Sequence, residues 1–345
     1  MRAAAGRLRL VAAGCGQVFE RFHLPAVLRT PEVALVGACD PSPERRAWLL
    51  GRLPHLVVAA TLEELLVATP ADALLVLTPP ATHHDLALRG LAAGLHLLIE
   101  KPMALSAADA AAMVDAAARA GRRLQVGFTR RFREPYQRLQ RELQRDAGMV
   151  RAVRAELAVP VAQWAAHGEF SGRDALGGGV LDDVLSHEVD LLAWLLGAWP
   201  AAVRVSEGSG ASPRVACELA FPSGLVAGCV AAHTRYVERV EVAVGKDRVL
   251  LATGTRFRRG GARSAAAQWR RAPLGDQLAL VAGRVLRRPG VTQESFVRQL
   301  RDFVRVVRDE GGACGADGVA GARTIATVEA CRRAAASGSW EPVGG

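Results

Sequence analysis

Leu8-Arg9-Leu10-Val11-Ala12-Ala13-Gly14-Cys15-Gly16-Gln17-Val18-Phe19 decides how the rest of the chain is read. The run from Leu8 to Ala13 has the length and apolar character of a buried strand. Gly14 and Gly16 then let the backbone turn sharply, and a helical pattern runs from Val18 to Leu28. A turn of this kind brings the main chain close to a pyrophosphate. The first amides of the helix, at its positive dipole end, face the same place. The turn residues Gly14, Cys15, Gly16, Gln17 and Val18 are therefore the candidate phosphate cradle. Phe19 stands at the third glycine position of the dinucleotide fingerprint. A ring there is expected to push the helix away from the strand.

The pattern continues in strict alternation. Strands are expected at Val33 to Cys39, Val57 to Ala59, Ala73 to Leu77, His96 to Ile99 and Leu124 to Phe128. Between them lie helical stretches at Pro43 to Arg52, Leu62 to Ala68, His83 to Ala93 and Ser106 to Ala120. Ser42, Thr61 and Ser106 are the capping residues. Strands alternating with helices give a doubly wound parallel sheet, whose ligand crevice lies at the carboxyl ends of the strands.

After residue 130 the order changes. Helices at Glu134 to Arg145 and Val180 to Leu196 flank a strand from Val150 to Val159 and a polar loop with Trp164, His167 and Gly177-Gly178-Gly179. Strands then follow one another: Ala202 to Glu207, Arg214 to Ala220, Leu225 to His233, Arg239 to Val244 and Arg248 to Thr253. Helices at Gln293 to Asp309 and Val319 to Ala335 close the chain. The fold class is α/β: a Rossmann domain over 1–126, then an α+β domain over 127–345 with an open, mainly antiparallel sheet. Such a sheet needs its outer face covered. A homodimer or homotetramer packed through it is the expectation.

Composition narrows the classes. The chain has 345 residues, half of them apolar, enough for two cored domains. No apolar run reaches the ~18 residues of a membrane span, and Arg7 and Arg9 interrupt anything like an export signal, so the expected location is cytoplasmic. The six cysteines form no CxxC pair and suggest neither zinc nor disulfides. Net charge is +10, and among 44 basic residues only Lys101 and Lys246 are lysines. Arginines between Arg256 and Arg288 are opposed only by Asp276. No nucleic-acid motif or aromatic platform accompanies them, so a solvated face, or the rim of a pocket for an acidic substrate, is the reading.

Two further groups carry chemistry. Asp40 ends the second strand, where a carboxylate accepts hydrogen bonds from a ribose diol and repels a 2′-phosphate. NAD is thereby favoured, with NADP possible through Arg45 and Arg46. Thr78 and Pro79, with His83 beyond, follow the next strand end. Glu100-Lys101-Pro102 ends a later strand on the same crevice side. Lysine there can stabilise an alkoxide. In the second half, Asp183, His187 and Asp190 are spaced to share one helix face. Histidine is the usual general base near neutrality. No metal site is expected from His83 and His84, because adjacent histidines at a helix start diverge.

Taken in order, these motifs resemble the Gfo/Idh/MocA oxidoreductases, a family that includes glucose–fructose oxidoreductase and inositol dehydrogenase. The resemblance runs over nearly the whole chain. It rests on Gly14-Cys15-Gly16 with His23-Leu24-Pro25-Ala26, Asp40, Thr78-Pro79-Pro80 with His83, and Ala93-Gly94. It continues through Glu100-Lys101-Pro102, Gly127-Phe128 with Arg131-Phe132, Gly177-Gly178-Gly179 with Asp183 and His187, and Asp317-Gly318. It implies that Lys101, Asp183 and His187 are the catalytic group. A nicotinamide dinucleotide would be held by Gly14 to Val18, Asp40, Thr78, Pro79, His83, Glu100 and Lys101. A carbohydrate-like substrate would meet Arg131, Trp164, Asp183 and His187, with the sheet face near His233 to Tyr236. The expected reaction is hydride transfer between nicotinamide and a secondary alcohol or ketone of a sugar, cyclitol or derivative. The alternatives are an NAD-dependent glycoside hydrolase of the same architecture and a non-catalytic dinucleotide sensor.

Overall fold

A computed structural model describes residues 6–146, 148–160, 179–209, 212–261, 291–312 and 314–344. Trp164, the loop around it and most of the arginine-rich stretch lie outside these residues. The chain forms two compact units, Met1–Thr129 with Gln293–Ala322 and Arg130–Thr292 with Arg323–Gly345. The sequence reading divides the chain once, at 126/127. The difference comes from the helix Val291–Val307, whose Leu300, Phe303 and Val304 join the core of the first unit.

The first unit is built on strands β1 (Leu8–Ala13), β2 (Val33–Cys39), β3 (Val57–Ala59), β4 (Ala73–Val76), β5 (His96–Ile99) and β6 (Leu124–Val126). The sheet order is β6-β5-β4-β1-β2-β3, all parallel, with the short strand Ala316–Asp317 antiparallel on β6. Helices α1 (Leu24–Leu28), α2 (Pro43–Arg52), α3 (Leu62–Ala68), α4 (His83–Ala92) and α5 (Ala107–Ala120) connect the strands. Ser42, Thr61 and Ser106 accept hydrogen bonds from the amides of Arg45, Glu64 and Asp109, as N-caps. A π turn, Phe19–His23, precedes α1. Phe19 begins that turn and is fully buried in the core with Leu10 and Leu75. The ring is thus taken into the core of the unit.

The second unit holds α6 (Glu134–Arg145), β7 (Val150–Ala158), α7 (Ser186–Leu196), β8 (Ala202–Glu207), β9 (Arg214–Ala220), β10 (Val226–Ala232), β11 (Val237–Val244), β12 (Arg248–Thr253) and β13 (Phe257–Gly261). Its sheet runs β13-β12-β11-β7-β10-β9-β8 and ends in the short strand Glu341–Pro342. β7 and β10 pair in parallel and the other pairs are antiparallel. One face buries Val153, Ala155, Leu157, Cys217, Leu219 and Val240 beneath α6 and α7 residues such as Leu139, Leu143, Val189 and Leu192. Positions of the opposite register, among them Arg204, Glu218 and Val226, stay partly open. No described helix is long and apolar enough to cross a membrane.

Candidate functional site

Within the first unit, Gly14, Asp40, Thr78 and Lys101 follow the carboxyl ends of β1, β2, β4 and β5. Strand order reverses at β1, beside β4, which is where parallel sheets of this kind open a ligand crevice. Gly14 has φ +93°, and a Cβ there would lie 2.9 Å from the Leu77 carbonyl carbon and oxygen. Only glycine keeps this turn in place. Gly14→Ala is therefore expected to weaken NADH binding about ten-fold or more, read by fluorescence titration.

Gln17 is buried, yet neither its amide nitrogen nor its amide oxygen has a hydrogen-bond partner among the described residues. A buried amide is costly to leave unmet. Its place in the glycine turn fits a bound dinucleotide that completes it. Asp40 joins the second strand to this turn: one carboxylate oxygen accepts from the Cys15 amide at 2.7 Å and the other from the Ser42 amide at 2.9 Å. Its remaining lone pairs keep it able to accept a ribose hydroxyl. Arg45 donates to the Cys15 carbonyl and to Glu20, and Arg46 to the carbonyls of Asp40 and Pro41. Burial pushes the Cys15 and Cys39 thiols up to about 12, so both stay protonated.

Glu100 and His83 flank Lys101 within this unit. The Glu100 carboxylate accepts from His23 Nε2 at 2.7 Å and from the Lys101 amide at 3.1 Å. Burial works against its charge, but the His23 hydrogen bond and the charges of His23 and Lys101 outweigh that and hold the group below its ordinary range. His83 is fully buried between two carbonyls, with Nδ1 2.9 Å from Pro102 O and Nε2 2.8 Å from Thr78 O. Burial lowers its pKa, although both carbonyls pull it up. Glu100 and His83, expected from sequence to touch the cofactor, each make one contact to the turn that carries Lys101, at the Lys101 amide and the Pro102 carbonyl. Lys101 itself is partly exposed.

In the second unit a π turn, Leu181–Leu185, leads into α7. π turns inside helices are frequent at functional sites. From Val180 to Ala193, only Asp183 and His187 are not buried. Their spacing of four sets them on one face. Asp183 Oδ2 lies 3.0 Å from His233 Nε2, at the turn after β10. Sequence reasoning assigned the sheet near His233 to substrate and did not pair it with Asp183, because a contact 50 residues apart leaves no local signal.

Asp190, three residues beyond His187, differs from Asp183 and His187 in exposure. It is buried and grips Arg131 through two contacts of 2.9 and 2.5 Å. Arg131, expected at the substrate, is buried too, and its guanidinium fork is engaged by this carboxylate. The pairing ties Arg131 to α7 within this unit. Beside it, Arg130 donates to Glu188 at 2.7 Å, to Glu238 at 2.8 Å and to the Tyr136 hydroxyl at 3.0 Å. Glu238 also accepts from Arg133, Tyr136 and Tyr236. Burial alone raises the Glu238 carboxyl, but Arg133 and Arg130 overcome it and hold the group at about 2. For Glu188 burial wins over Arg130 and the shift is upward.

Comparison with known proteins agrees with this fold. Residues 8–128 match the model of the Gfo/Idh/MocA oxidoreductase family, NAD-binding Rossmann fold, and residues 136–250 match that family's C-terminal domain. Inositol 2-dehydrogenase of Streptomyces avermitilis is 37% identical over 189 residues, covering 53% of this chain and 51% of that protein. D-glucoside 3-dehydrogenase of Escherichia coli K12 is 29% identical over 205 residues, covering 59% of this chain and 57% of that protein. The chain thus spans little more than half the length of these curated relatives. Among solved structures, the WlbA dehydrogenase from Bordetella pertussis, in complex with NADH and UDP-GlcNAcA, superposes with a TM-score of 0.80 at 21% identity, covering 99% of both chains. The aldose-aldose oxidoreductase from Caulobacter crescentus gives 0.75 at 23% identity, over 97% of this chain and 99% of that one. With both family domains matched in order over most of its length, the chain belongs to the Gfo/Idh/MocA oxidoreductase family.

Proposed function

We propose that the protein is an NAD-dependent dehydrogenase that oxidises a secondary alcohol of a sugar, cyclitol or derivative, or reduces the matching ketone. The observation that carries this reading is the pair Asp183 and His187, the accessible residues of an otherwise buried helical stretch. A general base and a carboxylate four residues apart suit an alcohol that must lose a proton. Relatives named for inositol and glucoside oxidation support a polyhydroxylated ring as substrate.

NAD, when bound, supplies the hydride acceptor. Gly14 to Val18 would hold its pyrophosphate, Gln17 would gain partners for its buried amide, and Asp40 would accept from the adenosine ribose. His187 takes the hydroxyl proton. Lys101 stabilises negative charge on the substrate oxygen. Asp183, braced by His233, orients His187 or binds a neighbouring hydroxyl. In the reverse direction His187 returns the proton. A cytoplasmic homo-oligomer, joined through the open face of the second unit's sheet, accompanies this reading; exposed Val226 on that face supports it.

The test is a dehydrogenase screen of sugars, inositols, sugar phosphates and nucleotide sugars with NAD and NADP. NADH appearing with at least one polyol supports the proposal. A second expectation concerns the cofactor. Arg45 and Arg46 are tied to carbonyls beside the Asp40 carboxylate. NADH should bind about ten-fold or more tightly than NADPH, since a 2′-phosphate would face that carboxylate. Equal dissociation constants would count against Asp40 as the ribose acceptor.

A further inference from the structure

We propose that His23 and Glu100 act as a positioning couple for Lys101, fixing its main chain and placing a carboxylate beside its side chain. This rests on the reading of Lys101 as a functional residue. No motif of the sequence analysis joined His23 to Glu100, which lie 77 residues apart.

The geometry is built for the purpose. His23 sits in the π turn before α1, where the extra residue per turn re-aims side chains relative to a regular helix. Its Nε2 donates to one Glu100 oxygen at 2.7 Å, while the other accepts the Lys101 amide at 3.1 Å. Phe296 packs edge-on against the His23 ring at 4.8 Å and stacks on Phe22, which limits ring rotation. A Cβ at Gly127 would lie 3.0 Å from the Glu100 carboxyl carbon, so glycine leaves room for the carboxylate. The charged and titratable groups around Glu100 are His23 from the π turn, Lys101 on its own segment and His83 on α4. His83 holds the far side of the same turn through Pro102 O. Lys101 is thus framed by a carboxylate at its amide and an imidazole at the following carbonyl. The charge of Lys101 helps keep Glu100 ionised.

A lysine reacts with an acylating reagent only as the free amine, and a neighbouring carboxylate disfavours that form. The chain's other lysine, Lys246, is exposed on the turn between β11 and β12 and serves as an internal reference in every sample. The experiment is competitive acylation of the full chain with acetic anhydride at pH 8. The Lys101:Lys246 rate ratio is read by peptide mass spectrometry. Glu100→Gln is expected to raise the ratio by ~3- to 10-fold. His23→Ala should move it in the same direction, and His23→Gln, which keeps an N–H donor, should restore it toward the starting value. A ratio unchanged within about two-fold in both Glu100→Gln and His23→Ala overturns the proposal, as does a His23→Gln variant that behaves like His23→Ala. Should Glu100→Gln fail to fold by circular dichroism, the two His23 variants decide alone. The readout needs no turnover. A shifted ratio together with undiminished dehydrogenation by Lys101→Met would leave the couple standing and remove the catalytic role of Lys101.

Discussion

Arg130→Met is expected to destabilise the second unit by about 3–5 kcal/mol, on the order of 10 °C in its melting temperature. Arg130 is buried, and its guanidinium is shared among Glu188, Glu238 and Tyr136, with the Tyr136 ring 5.0 Å away. The methionine fills similar volume but answers none of these acceptors. Arg133 still faces Glu238, so that carboxylate keeps one cation. Glu188 fares worse: its second oxygen is buried with no hydrogen-bond partner among the described residues. Its carboxylate would remain desolvated without a counter-charge, and that penalty makes breaking a buried pair so costly. The double variant Arg130→Met, Glu188→Gln should recover part of the loss, because it removes the stranded charge. Urea unfolding measures both. A loss below about 1 kcal/mol for the single variant would contradict this account of the network.

His187→Ala should lower turnover by about 10²- to 10⁴-fold while NADH affinity changes little. The prediction follows from position. The residues around His187 in the helix are buried, and Glu188 and Asp190 are committed to Arg130 and Arg131. Asp183 and His187 are therefore the ionisable side chains of the stretch that a substrate can reach, and only His187 can both take and return a proton near neutrality. Comparison of kcat with the NADH dissociation constant checks it. A His187→Ala enzyme with near-normal kcat would move the proton chemistry to another group.

Much of this was readable in the chain. Several strands and helices of the first unit are set by local signals: Val33–Cys39, Pro43–Arg52 and Leu62–Ala68 have caps, turns and apolar runs at their ends, and the structure gives them those bounds. Residue type and spacing mark Lys101, Asp183 and His187 as candidates, two of which Lys101→Met and His187→Ala test. What was hidden depends on contacts across long separations. The parallel pairing of β7 with β10 breaks the antiparallel order, and no local pattern encodes a strand's neighbour. The strand Phe257–Gly261 is rich in arginine and glycine and lies at the sheet edge, so it lacks an apolar alternation. Helix Val291–Val307 returns to the first core through Phe303, which periodicity marks as buried without naming its partner. The same reason applies to Arg131, expected at the substrate: its ion pair shows only once Asp190, 59 residues away, is placed against it.

The most direct test of the central claim is NADH formation by the wild-type protein and by Lys101→Met on the best polyol found in the screen. The account predicts one NADH per ketone formed by the wild type, and a rate lower by about 10²-fold or more in the variant with NADH still bound. Release of an aglycone without net NADH, or an undiminished rate in Lys101→Met, would contradict it.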